Sequence, residues 1–101
     1  MCTSIVEIAR AEGVAKRGAD WFPLSLAVVA YDHARHAPLG DVITLDFINT
    51  ELDPGARAGI ELTLETAKEV SAALARAIAA AEFEEAEVRG KGALPTLVKA
   101  A

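Results

Sequence analysis

The segment Leu24 to Tyr31 limits the possible folds more than any other part of the chain. In an extended strand Leu24, Leu26, Val28 and Ala30 fall on one side, and Ala27, Val29 and Tyr31 on the other. A strand apolar on both sides needs cover on both, so this run reads as a central strand. The rest of the fold must be arranged around it.

The remaining pattern supplies the neighbours. Ser4 to Ala11 is partly β-branched, stops at Glu12-Gly13, and reads as a first strand. Gly13 to Asp20 carries Gly13 and Gly18 among charged residues and reads as a loop or ragged strand end. Asp41 to Asn49 is the clearest strand, with Ile43, Leu45 and Phe47 alternating with Thr44 and Asp46. Asp53-Pro54-Gly55 has the chemistry of a turn: Pro54 presets φ, Gly55 tolerates positive φ, and Asp53 can accept the amides that follow. Arg57 to Thr63 returns as the partner strand of a hairpin, with Ala58, Ile60 and Leu62 expected inward.

Thr63 is placed as a helix N-cap, with Glu65 in the first turn where the helix dipole favours an anion. Ala67, Val70, Leu74, Ala77, Ile78 and Ala81 follow at spacings of three and four, an apolar stripe suited to packing on a sheet. Glu82, Glu84, Glu85 and Glu87 crowd the far end, where the dipole disfavours anions, so regular packing is expected to weaken there. The reading is an α+β domain over residues 1–89: an antiparallel sheet of three to four strands, then one long C-terminal amphipathic helix. Residues 90–101 read as a flexible tail with a short apolar patch at Leu94 to Val98.

Charge and length narrow the class. A 101-residue chain is one domain, and its 52% hydrophobic content is inflated by alanine, so its core is thin. A homo-oligomer, dimer or higher, is the expected remedy. A net charge of −5 argues against nucleic acid and against anionic lipid. No apolar run approaches the roughly 20 residues of a membrane span. The N-terminus lacks the basic and apolar regions of a leader, and the single cysteine suits a reducing compartment; together these predict a cytoplasmic protein.

Chemistry concentrates at Cys2, His33 and His36. The two histidines share one loop with Asp32, and Cys2 reaches their neighbourhood if the first strand runs antiparallel beside the second. With Asp46, Asp32 or water as a fourth ligand, this set suits a transition metal, zinc first, then copper or iron. One histidine pair plus a distant thiol is less specific than two paired half-sites, and solvated histidines with a small buried thiol would look the same. A metal-free thiol enzyme, with a histidine as base or with Cys2 as an N-terminal nucleophile, is a further alternative. The glutamates of 82–87 lack the spacing of a calcium loop and read as a solvated helix end.

Met1-Cys2-Thr3, Trp21-Phe22-Pro23-Leu24, the loop Tyr31-Asp32-His33 through His36-Ala37-Pro38, and Leu45-Asp46-Phe47 with Asn49 together resemble a family of small actinobacterial proteins with no assigned function. The resemblance extends to the helix and leaves out the tail after Gly90; Leu39-Gly40-Asp41 departs from the family's loop. It implies that Cys2, His33 and His36 are marked positions and implies no activity. Two functions are therefore expected to compete. One is a small metal-binding protein, possibly catalytic, using Cys2, His33, His36 and Asp46. The other is a non-catalytic interaction module or accessory subunit that assembles through its sheet and its C-terminal tail.

Overall fold

A computed structural model of the chain describes residues 5–38 and 40–90. It is an α+β fold of six strands followed by one helix. In chain order these are β1 (Val6–Arg10), β2 (Val14–Arg17), β3 (Asp20–Pro23), β4 (Leu26–His33), β5 (Asp41–Ile48), β6 (Arg57–Leu62) and α1 (Leu64–Gly90). Four strands form one antiparallel sheet in the order β1-β4-β5-β6, and β2 and β3 form a separate antiparallel pair. The doubly apolar run is central, as its pattern requires: β4 pairs β1 on one side and β5 on the other.

The segment expected as a loop or ragged strand end, Gly13 to Asp20, forms most of a hairpin. Val14 pairs with Pro23 and Arg17 with Asp20, leaving Gly18-Ala19 as a two-residue turn. Gly18 has φ +61°, a conformation that side chains with a Cβ resist and that two-residue hairpin turns need. Apolar alternation across these short strands is sparse, so the turn rather than the pattern creates them.

This hairpin continues the pair β1–β4 past a bend. Ala11 N–H donates to Ser25 O at 3.0 Å and Leu24 N–H to Gly13 O at 2.9 Å. At the bend Ser25 N–H also donates to Ile48 O at 2.8 Å, and the amide of Thr50 donates to Ser25 Oγ at 3.0 Å. Asn49 Nδ2 holds Pro23 O at 2.8 Å. The hairpin tip is tied to the β5–β6 turn by Arg17, whose Nη1 lies 3.2 Å from Asp53 Oδ1 and whose guanidinium stacks 5.5 Å from the Phe22 ring centre. Asp53 thus gives its carboxylate to Arg17, while its carbonyl accepts Ala56 N–H at 2.9 Å to close the turn.

The core is thin, as alanine-rich composition predicts. Among the described residues Phe22, Val42 and Ala56 are the buried hydrophobics. Every residue of β4 before His33 is half-buried, on both faces of the sheet. Ile60, expected inward, is 44% exposed, because β6 is an edge strand.

The chain divides into two compact units, Met1–Ala67 and Lys68–Ala101. Thr63 caps α1 as expected: its Oγ1 accepts Thr66 N–H at 3.0 Å and its carbonyl accepts Ala67 N–H at 2.9 Å. The helix runs 27 residues to Gly90, past the point where packing was expected to weaken. Glutamate is a good helix former, so Glu82 to Glu87 prolong the helix despite an adverse dipole, with Arg89 offsetting it in the last turn. No described helix residue is buried, so the stripe Val70-Leu74-Ile78 stands exposed along α1. The expected tail, apart from Gly90, lies outside the described residues.

Candidate functional site

Residues directly opposite in an antiparallel ladder share a face. The pairs Asp46–Gly59, Thr44–Glu61 and Asp32–Val42 therefore put Asp32, Thr44, Asp46 and Glu61 on one face, with Arg57. The other face carries Ala27, Val29, Tyr31, Ile43, Leu45, Phe47, Ala58, Ile60 and Leu62, with Glu7, His33 and Asp41 on the same face towards its edges. The first face also carries apolar residues, Val6, Ile8, Val28, Val42 and Ile48 among them, so its polar side chains gather around β5 and β6.

The polar side, with the loop after β4, forms an open groove of about 970 Å³. Glu61 organises it. Its Oε2 accepts the amide of Arg35 at 2.9 Å, and its Oε1 accepts those of His36 at 3.0 Å and Ala37 at 2.8 Å. A carboxylate holding three amides is stabilised in its charged form. The pKa of Glu61 is accordingly lowered from 4.5, by the Ala37 and Arg35 amides first, against an opposing effect of desolvation, with His36 adding less. It is a latch for the loop and a poor general base.

Asp46 faces the same groove and is gripped by Arg57, with Nη2 on Oδ2 and Nε 3.3 Å from Oδ1. This fork engages both oxygens of the carboxylate that sequence reasoning offered as a metal ligand. His36 lines the groove with Asp46. His33 sits at the groove's rim as the last residue of β4, with Nδ1 2.6 Å from Asp41 Oδ1, directly opposite in the ladder. Strand alternation turns its ring to the face away from Asp46. Asp32 accepts the His33 amide at 2.7 Å. Cys2 lies outside the described residues. Among the described residues no three His, Cys, Asp or Glu side chains converge as a metal set, and no helix is long and apolar enough to cross a membrane.

Glu61 and Arg57 carry the groove's geometry and are absent from the sequence-based site. Their only signal is the polar alternation Arg57-Gly59-Glu61 along β6. Nothing local links Glu61 to a loop 24 to 26 residues earlier.

Fold and groove together define a small α+β protein built on an antiparallel sheet with a polar groove on one face. The chain belongs to DUF6295, a family of unknown function, whose sequence pattern matches residues 1–87. No curated protein and no solved structure matches it.

Proposed function

We propose that this chain is a non-catalytic interaction module or accessory subunit that docks through the apolar face of its four-stranded sheet. The observation that carries the reading is that face itself. Ala27, Val29, Tyr31, Ile43, Leu45 and Phe47 are half-buried and Ile60 is 44% exposed, in a chain with three buried hydrophobics among its described residues. A contiguous, largely apolar patch with a polar rim has the anatomy of an interface. Here Glu7, His33 and Asp41 stand at its margins. The polar groove supports the same reading, because its two best-placed carboxylates are occupied by Arg57 and by three amides. A single thiol suits action in a reducing cytoplasm.

Val29→Glu tests this without touching the groove. Wild type is expected to purify natively in a higher-mass complex, and protein carrying the substitution is expected to lose it while keeping its far-ultraviolet circular dichroism. An unchanged complex would remove the face from consideration. Deleting residues 91–101 separately tests the tail as a second contact.

A specific observation favours a second reading, metal binding through Cys2, His33 and His36. The Asp41 carboxylate at His33 Nδ1 fixes the ring as the Nδ1–H tautomer and leaves Nε2 with a free lone pair, the arrangement common to histidine ligands. β1 runs antiparallel beside β4, with Val6 opposite Ala30 and Tyr31 N–H donating to Ile5 O at 3.2 Å, so the chain enters the sheet at the end where His33 stands. Zinc titration of untagged protein is the test. One zinc per chain, lost in Cys2→Ala and His33→Ala, is expected, and binding indifferent to both substitutions would exclude this ligand set.

A further inference from the structure

β1 is an edge of the four-stranded sheet: it pairs β4 on one side and, among the described residues, no strand on the other. The ladder with β4 fixes which of its backbone groups are spare. Tyr31 N–H donates to Ile5 O at 3.2 Å, and Ala11 N–H to Ser25 O at 3.0 Å. Residues 5, 7, 9 and 11 therefore turn their backbone groups towards β4. Val6, Ile8 and Arg10 turn theirs outwards, and no other described segment bonds to them. All five residues of β1 are exposed, with Val6 at 51% and Ile8 at 63%. The edge also lacks the usual guards against pairing. It has no proline, no lysine and no bulge in its register with β4. Only water or another extended backbone can complete such a row.

We propose that two copies of this chain pair antiparallel through β1, about a two-fold axis at Ile8, into one continuous eight-stranded sheet. This goes beyond the docking reading and leaves the apolar face open. Opposed residues share a face, so a two-fold axis must pass through a residue position. With the axis at Ile8, Ile8 opposes its own copy and Val6 opposes Arg10 of the second copy. Every outward N–H then meets an outward C=O. The other axes are worse. An axis at Glu7 or at Arg10 sets identical charges directly opposite each other, which destabilises a ladder. An axis at Ala9 carries Val6 past the end of the strand, opposite Glu12. In the Ile8 register Glu7 opposes Ala9, Ile8 packs on Ile8, and the stem of Arg10 lies along Val6. This self-complementarity singles out a second copy over an unrelated extended peptide. The contact is isologous, so it closes at two.

The test combines sedimentation equilibrium of the full chain with hydrogen-exchange NMR across a concentration series. The mass is expected to rise towards twice 10.6 kDa, with the amides of Val6, Ile8 and Arg10 gaining protection in step. Ile8→Pro removes an outward N–H without touching the β4 ladder, a position where an edge strand tolerates proline. It is expected to weaken dimerisation at least about 30-fold, the scale of two lost hydrogen bonds across the axis. Ile8→Lys keeps every backbone group, sets two ammonium groups together at the axis, and is expected to weaken the dimer likewise. Val29→Glu is expected to leave this dimer intact, which separates it from the docking face. A dimer indifferent to both Ile8 substitutions overturns edge pairing. A chain still monomeric at millimolar concentration overturns it too. If that monomer already protects the three amides, its own extended segment fills the edge.

Discussion

The carboxylate of Glu61 accepts the amide of Ala37 at 2.8 Å, fastening the loop after β4 to the penultimate residue of β6. With the amides of Arg35 and His36 on the same carboxylate, one side chain holds three consecutive backbone donors. Glu61→Gln replaces one acceptor oxygen by a donor and removes the charge. Amide exchange at residues 35–37 is expected to quicken roughly tenfold, as local opening becomes easier, while exchange within β4 and β5 stays unchanged. Hydrogen-exchange NMR reads both. Unchanged protection at all three amides would show that the loop holds itself.

The same contact has a pH signature. The Ala37 and Arg35 amides, more than any other influence, lower the pKa of Glu61 in the folded chain below 4.5. A depressed carboxylate stabilises the folded form above its unfolded pKa, and that contribution disappears as pH falls through the folded value. The loop is therefore expected to be insensitive to pH near neutrality and to loosen only on the acid side of 4.5. In an NMR titration the amide shifts of Arg35, His36 and Ala37 should move together with one midpoint below that value. A midpoint near neutrality would assign the transition to a histidine instead.

Val42 is fully buried, one of three such hydrophobics among the described residues. Val42→Ala removes two methyl groups from a core with little else to share the loss, and about 2 kcal/mol of stability is expected to go with them. Urea unfolding followed by tryptophan fluorescence measures it. A loss below about 0.5 kcal/mol would mean that the site collapses around the smaller side chain.

Gly18 tests the hairpin that sequence periodicity does not reveal. Its φ is +61°, and a Cβ placed there meets nothing within 4 Å, so Gly18→Ala changes conformational preference and little else. A cost of about 1 kcal/mol is expected from forcing alanine into the left-handed region. Thermal unfolding gives the number, and Gly18→Asn should recover part of it, since asparagine tolerates that region better.

Much of the fold is legible in the residues themselves. The doubly apolar run Leu24 to Tyr31 marks the central strand, alternation marks β5 and β6, and Thr63 marks where α1 begins. These signals are local, carried by side-chain period and by one hydroxyl placed before a helix. The hairpin at Gly18 escapes because a single backbone angle, with almost no periodicity, creates it. The candidate site is less legible. His33, His36 and Asp46 are conspicuous as residue types, yet ladder register turns His33 to Asp41 and Asp46 to Arg57.

By itself, then, the sequence determined the central strand and the hairpin after it, where the helix is capped, and that the core would be thin, because each follows from nearest-neighbour chemistry. Tertiary structure alone decided that Glu61 holds the loop at 35–37, that Asp32, Asp46, Arg57 and Glu61 gather on one face, and that one residue separates sheet from helix. Those relations depend on strand register and on contacts between residues far apart in the chain, which no local pattern encodes.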